Sequence, residues 1–166
     1  MVDLGDKRRI ALHGRIDRIN RVGPGEYEVA DYKTGGYWRD DWDGHFAGGT
    51  RLQHALYGVA AAALLQSRDP KARVVRGVYL FPAVKGYRRR KVIPAPSKAK
   101  LASVLRDLAD VLGNGAFVSA DTEDRCKWCQ FAAACHAQDV SCAKSKIEGD
   151  AGTALEPYRR LRGNHE

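Results

Sequence analysis

Gly14-Arg15-Ile16-Asp17-Arg18-Ile19, followed at residue 29 by Val29-Ala30-Asp31-Tyr32-Lys33-Thr34-Gly35, reads as the two arms of a β-hairpin. Apolar and polar residues alternate from Arg8 to Asn20, the period of a strand, and Tyr27 to Lys33 reads as the returning arm. Between them, Gly23-Pro24-Gly25 supplies turn chemistry. With the tip at Pro24, residues equally far from it on either side pair, so Asp17 faces Asp31 and Arg15 faces Lys33. Because side chains alternate along a strand, Asp17, Asp31 and Lys33 share one face.

Two carboxylates about 5 Å apart repel by roughly 3 kcal/mol at an effective dielectric near 20. Strand propensity spans only about 1 kcal/mol and does not offset that. Something positive belongs between them: Lys33, or a hard divalent cation with oxygen ligands such as Mg²⁺. Acids that hold such an ion, with an amine beside them, suit phosphodiester hydrolysis. The plainer reading is a surface strand whose Asp, Lys and Arg form solvated pairs, since a D-x-K triplet is a short motif.

Working outward, Thr34 to Gly49 is a loop rich in Gly, Asp and Trp. Thr50 reads as the N-cap of a helix running to about Ser67, stopped before Pro70. Gln53 and Tyr57, four apart, project from one face of that helix; by themselves they also fit a partly buried polar pair. Strands follow at 73–82 and 86–93, ended by Pro94 and Pro96. Ser97 then caps a helix with Leu101, Val104, Leu105, Leu108, Val111 and Leu112 on one apolar face. The fold expected is α/β, a central mixed sheet flanked by helices.

A chain of 166 residues, 44% hydrophobic, can bury one core and is not globally disordered. Its net charge of +8 favours a polyanionic partner, nucleic acid before an anionic membrane surface. No apolar run reaches the roughly 18–20 residues a membrane span needs. The first residues, Met1 to Asp6, lack the regions of a signal peptide, so the expected compartment is the cytoplasm. Arg88-Arg89-Arg90-Lys91 and Arg159-Arg160-Leu161-Arg162 read either as phosphate contacts or as solvated faces. Trp38 and Trp42 read as base-stacking residues or as covers for the core edge.

All four cysteines, Cys126, Cys129, Cys135 and Cys142, fall in one short segment. In a reducing compartment that clustering favours metal over disulfides. Cys126, Cys129 and Cys135 form a Cys-x2-Cys-x5-Cys pattern. Cys142 is the available fourth ligand and His136 a weaker one. On ligand chemistry alone, Zn²⁺ and an iron–sulfur cluster both fit.

The segments Gly14–Ile19, Val29–Gly35 and Leu52-Gln53-His54-Ala55-Leu56-Tyr57 together resemble three consecutive signatures of the RecB-type PD-(D/E)xK nucleases. The resemblance covers roughly residues 8 to 136 and implies a restriction-endonuclease-like core. It makes Asp17 and Asp31 metal-binding carboxylates, Lys33 the catalytic lysine, and Gln53 and Tyr57 the helix's contribution to the site. The carbonyl of Tyr32 becomes a further metal ligand. It implies Mg²⁺ or Mn²⁺ as cofactor, DNA as substrate (single strands or processed ends) and a role in repair or recombination. AddB-like and CRISPR-adaptation relatives end in a similar cysteine triplet that holds a [4Fe–4S] cluster, with Zn²⁺ the alternative here. In that family a helix ahead of the first strand completes the metal site. This chain has no room for it before Asp17, so the resemblance implies an N-terminally shortened core over residues 1–122. A cysteine segment over 123–143 and a polar, loose tail over 144–166 would follow. The second reading is a catalytically inactive nuclease fold that holds DNA, a helicase subunit or a separate N-terminal portion.

Overall fold

The computed structural model describes residues 1–4, 6–37, 44–118, 126, 129–131, 141–149 and 153–163, without the side chains of 141 and 142. Met1–Leu105 and Arg106–Gly163 form two compact units, with the division inside one helix.

In the first unit, β1 (Val2–Asp3) runs antiparallel to β2 (Arg9–Ile10) as a separate two-stranded sheet. The turn between them is held by Asp6, whose carboxylate accepts the backbone N–H and the guanidinium of Arg8. The alternation expected to make one strand from Arg8 to Asn20 therefore makes two. Residues 11–17, between them, belong to neither strand.

The main sheet begins with β3 (Arg18–Gly23) and β4 (Glu26–Tyr32), antiparallel, pairing Arg18 with Ala30, Ile19 with Val29 and Asn20 with Glu28. That is the register set by a tip at Pro24. Gly25 takes a left-handed φ of 69°, and a Cβ there would sit 3.2 Å from the Lys71 carbonyl oxygen, so this turn favours glycine. From β4 the chain crosses through α1 (Gln53–Gln66) to β5 (Arg73–Phe81), which lies parallel to β4; β6 (Arg89–Pro94) returns antiparallel. The sheet order is β3-β4-β5-β6. Central strands are the buried ones: Val29, Ala30, Val78, Tyr79 and Phe81 are core.

Helix α1 packs on β4 and β5 through His54, Ala55, Gly58 and Ala61. Its buried side chains are mostly small, so helix and sheet approach closely. The helix starts at Gln53, after Leu52, without a side-chain cap. Thr50 is not its N-cap: the hydroxyl donates to the Ala47 carbonyl at 2.7 Å, closing a tight turn in which Ala47, Gly48 and Gly49 all have positive φ. Strand β6 begins later than expected. A single helical turn, Val84–Gly86, and left-handed Tyr87 and Arg88 (φ 53° and 51°) precede it.

Helix α2 (Lys98–Gly113) is capped by Ser97, whose hydroxyl accepts the Lys100 N–H at 3.2 Å. Leu101, Val104, Leu105 and Val111 are buried as the periodicity requires, whereas Leu112, in the last turn, is exposed.

The second unit contains α3 (Ser141–Glu148) and α4 (Glu156–Gly163), so the stretch expected as a loose tail carries helices. Arginines hold them. Arg159 donates to the carbonyls of Ile147 at 2.6 Å and Gly149 at 2.7 Å, capping the end of α3. Arg160 donates to the buried Asp107 at 2.8 Å, a bond that raises the guanidinium's pKa above its ordinary value. No described helix is long and apolar enough to cross a membrane.

Candidate active site

The β3–β4 ladder stops at the Arg18–Ala30 pair, one residue short of Asp17. There a side chain takes over from the backbone: Asp17 Oδ2 accepts the Tyr32 N–H at 3.0 Å. Asp17 is thus fixed at the end of β4 through Tyr32 rather than by a ladder pair with Asp31. On the other side of β4, Lys33 N–H donates to the Leu80 carbonyl at 2.8 Å, so Lys33 is tied to β5 and not to Arg15. The Tyr32–Lys33 peptide is trans, so its C=O points opposite to its N–H. The Tyr32 carbonyl therefore points away from β5, towards the side that carries Asp17.

Asp31, 8% exposed, stands across from Tyr79 in the β4–β5 ladder. Its Oδ1 accepts from Gln53 Nε2 at 2.7 Å and its Oδ2 lies 2.7 Å from Lys33 Nζ. The second contact is an ion pair outside hydrogen-bond geometry, which leaves Oδ2 buried without a hydrogen bond. Lys33 Nζ also donates to Gln53 Oε1 at 2.6 Å. These partners fix the Gln53 amide: lysine can only donate and the carboxylate only accept, so Oε1 must face Lys33 and Nε2 must face Asp31. Nε2 donates as well to the Tyr57 hydroxyl at 3.0 Å, one helical turn on. Asp31, Lys33, Gln53 and Tyr57 therefore form one closed network, with Asp17 and Tyr32 at its edge.

Beneath the network lie residues that sequence reading did not single out. The Lys33 ammonium sits 5.2 Å from the centre of the Tyr79 ring, and the Tyr79 hydroxyl meets both the backbone N–H and Nδ1 of His54 at 3.2 Å. His54 stacks on Phe46 and is buried, which pushes its pKa down to about 4, helped by the nearby charges of His45 and Arg51. Burial likewise pushes Tyr79 up to about 12. Gly77 lets α1 come this close: a Cβ there would fall 2.5 Å from His54 Cβ. Strand alternation puts residues 77, 79 and 81 on one face, but only the pairing of β4 with β5 sets Tyr79 beside Asp31.

The opposite face carries a second charged group. Glu28, buried, accepts from Asn20 at 3.0 Å, Arg76 at 2.7 Å and Arg90 at 3.1 Å. Burial alone would raise its pKa, but the Arg76 and Asn20 hydrogen bonds and the two guanidinium charges outweigh it and hold the carboxyl below its ordinary value. Of the run 88–91, Arg90 is thus engaged with Glu28.

Two carboxylates and a backbone carbonyl form an all-oxygen donor set of the kind that Mg²⁺ and Mn²⁺ accept together with water. Asp31 Oδ2, buried without a hydrogen bond and paired with the Lys33 ammonium, is an oxygen of that type. The described residues contain no group of three or more His, Cys, Asp or Glu side chains that could hold an ion. Cys126 and Cys129 are free thiols, and the Cys129 N–H donates to the Cys126 carbonyl at 3.2 Å. Cys135, His136, Trp38 and Trp42 lie outside the described residues, as does the Cys142 side chain.

A comparison with protein families matches residues 2–136 to the PD-(D/E)XK nuclease superfamily. Curated proteins and solved structures gave no match. The matched stretch contains the whole network, from Asp17 through Asp31 and Lys33 to Tyr57, and the four-stranded mixed sheet that carries it. The chain belongs to the PD-(D/E)XK nuclease superfamily.

Proposed function

We propose that this protein is a Mg²⁺- or Mn²⁺-dependent deoxyribonuclease of the RecB type, an exonuclease on single strands or processed ends that serves repair or recombination. The observation that carries the reading is the Lys33 ammonium held between Asp31 (2.7 Å) and Gln53 (2.6 Å), with the Asp17 carboxylate bound to the Tyr32 N–H at the end of the same strand. Asp17, Asp31 and the Tyr32 carbonyl would hold the cation. When bound, a hard divalent ion neutralises phosphate charge and makes water a stronger nucleophile at neutral pH. Water adds to phosphorus as the P–O bond to the leaving sugar oxygen breaks. Lys33 keeps 34% of its side-chain surface in solvent, so a phosphate oxygen can approach the ammonium as negative charge builds there. Gln53 and Tyr57 hold lysine and acid in place.

The cysteine segment, residues 123–143, is proposed to bind a [4Fe–4S] cluster through Cys126, Cys129, Cys135 and Cys142, with Zn²⁺ as the alternative. Two free thiols, with the Cys129 N–H donating to the Cys126 carbonyl, suit either thiolate site. Its task would be to order the segment, not to cleave.

The second reading is a DNA- or helicase-binding module without hydrolysis. An open apolar cleft of about 750 Å³ beside Tyr57, lined by Leu12, Ile16, Ile19 and Leu56, supports a partner on that side. Incubation of anaerobically purified protein with labelled single-stranded DNA and Mn²⁺, with Lys33→Ala beside it, separates the two. Cleavage lost in the variant supports the nuclease; salt-sensitive binding without cleavage, unchanged by Lys33→Ala, supports the module.

A further inference from the structure

We infer that Tyr79 is a positioning residue of this site, holding the Lys33 ammonium with its ring and the first turn of α1 with its hydroxyl so that Lys33, Asp31 and Gln53 meet. Its kinetic consequence rests on the proposed hydrolytic function; its geometric consequence does not.

Helix α1 begins without a side-chain cap, and the first N–H groups of any helix lack partners within it. The Tyr79 hydroxyl accepts one of them, at His54, the residue after Gln53. His54 Nδ1 lies at the same 3.2 Å and shares a second hydrogen bond with the hydroxyl. Burial keeps Tyr79 protonated and His54 neutral at neutral pH, so that one proton serves the contact. The same side chain presents its ring 5.2 Å from Lys33 Nζ. Through the backbone, Tyr79 stands opposite Asp31 in the ladder. Thus one residue, 2% exposed, touches or sets the acid, the lysine and the start of the helix that carries Gln53. A displaced α1 would separate Gln53 from both of its partners at once.

Tyr79→Phe keeps the ring and loses the hydroxyl; Tyr79→Leu loses both. The full-length protein and both variants are compared by NMR of the Gln53 side-chain amide and the Lys33 side chain. Alongside, kcat and KM are measured on labelled single-stranded DNA with Mn²⁺, well below each variant's Tm. Tyr79→Phe is expected to move the Gln53 signals and lower kcat by about tenfold, with KM little changed. Tyr79→Leu should also move the Lys33 signals and lower kcat by about a hundredfold. A lower Tm with unmoved signals and unchanged kcat marks a purely structural tyrosine and overturns the inference. Should the wild type not cleave, the proposed function fails and the NMR signals alone decide: movement supports positioning, its absence overturns it. If Tyr79→Leu does not fold, the Tyr79→Phe comparison decides in the same way.

Discussion

Gly77→Ala tests how closely α1 must approach the sheet. The added Cβ would lie 2.5 Å from His54 Cβ, 3.3 Å from its Cα and 3.4 Å from its Cγ. Carbon atoms rest about 3.5–4.0 Å apart, so helix and strand must separate by roughly 1 Å or more. Neither clashing partner is the loose end of a long side chain: His54 is pinned by Phe46 on one side and Tyr79 on the other. Overpacking of this kind costs about 1–3 kcal/mol, a fall in Tm of roughly 2–12 °C for a chain of this size. The larger effect falls on the site. Gln53 precedes His54, and its bonds to Asp31 and Lys33, at 2.7 and 2.6 Å, do not survive a shift of an ångström. Misplacement by that distance costs about a hundredfold in rate. The assay pairs thermal unfolding with kcat on labelled single-stranded DNA in Mn²⁺, measured below the variant's Tm. A Gly77→Ala protein with unchanged Tm and full activity would refute the reasoning, because the close approach would then set neither stability nor geometry.

Two further predictions concern charge. Mn²⁺ should raise the Tm of the wild type in a concentration-dependent way, by a stabilisation near 2.7 kcal/mol at about a hundred times Kd, and Asp17→Ala or Asp31→Ala should abolish the response; equal shifts in all three proteins place the ion elsewhere. Glu28 is held below its ordinary pKa of 4.5, so its contribution to stability is complete above that pH and is lost as pH falls through the depressed value. Glu28→Gln should therefore lower the urea midpoint at pH 7 and flatten its decline below pH 4.5; parallel curves for the two proteins would contradict the assignment.

Much of the first unit was legible because its constraints are local. The turn at Pro24 sets the β3–β4 register by counting outward, and the Ser97 cap and the apolar spacing of α2 locate that helix. Failures came where a side chain chose between partners. Thr50 has the right chemistry for an N-cap, but the left-handed turn before it offers the Ala47 carbonyl first. Asp17 was expected opposite Asp31 across a continuing ladder, yet the ladder ends and the carboxylate binds the Tyr32 N–H instead. The roles of Gly77, Tyr79 and His54 depend on which strand lies beside β4 and in what register, a long-range fact that no local pattern encodes. The C-terminal helices are not legible in the sequence because Arg159 and Arg160 secure them, and arginines in a polar tail look like solvent-facing charge.

Why the family signature spans both a hairpin and a helix follows from the energetics. A D-x-K triplet on a solvated strand makes an ion pair worth about 0–1 kcal/mol, too weak to hold either group in one place. Burying Asp31 strengthens the pair but leaves carboxylate oxygens that must find partners. A cation would not serve for this, since the second group must both donate to the acid and accept from the lysine. An amide does both. Gln53 supplies it, and its orientation is forced by the charges it bridges. Acid and amine come from β4, and the group that locks them comes from a helix that must first cross over the sheet. The site therefore exists only when the β4-α1-β5 unit is folded, so substitutions beneath it, at Gly77 or Tyr79, should reach the chemistry without touching the substrate.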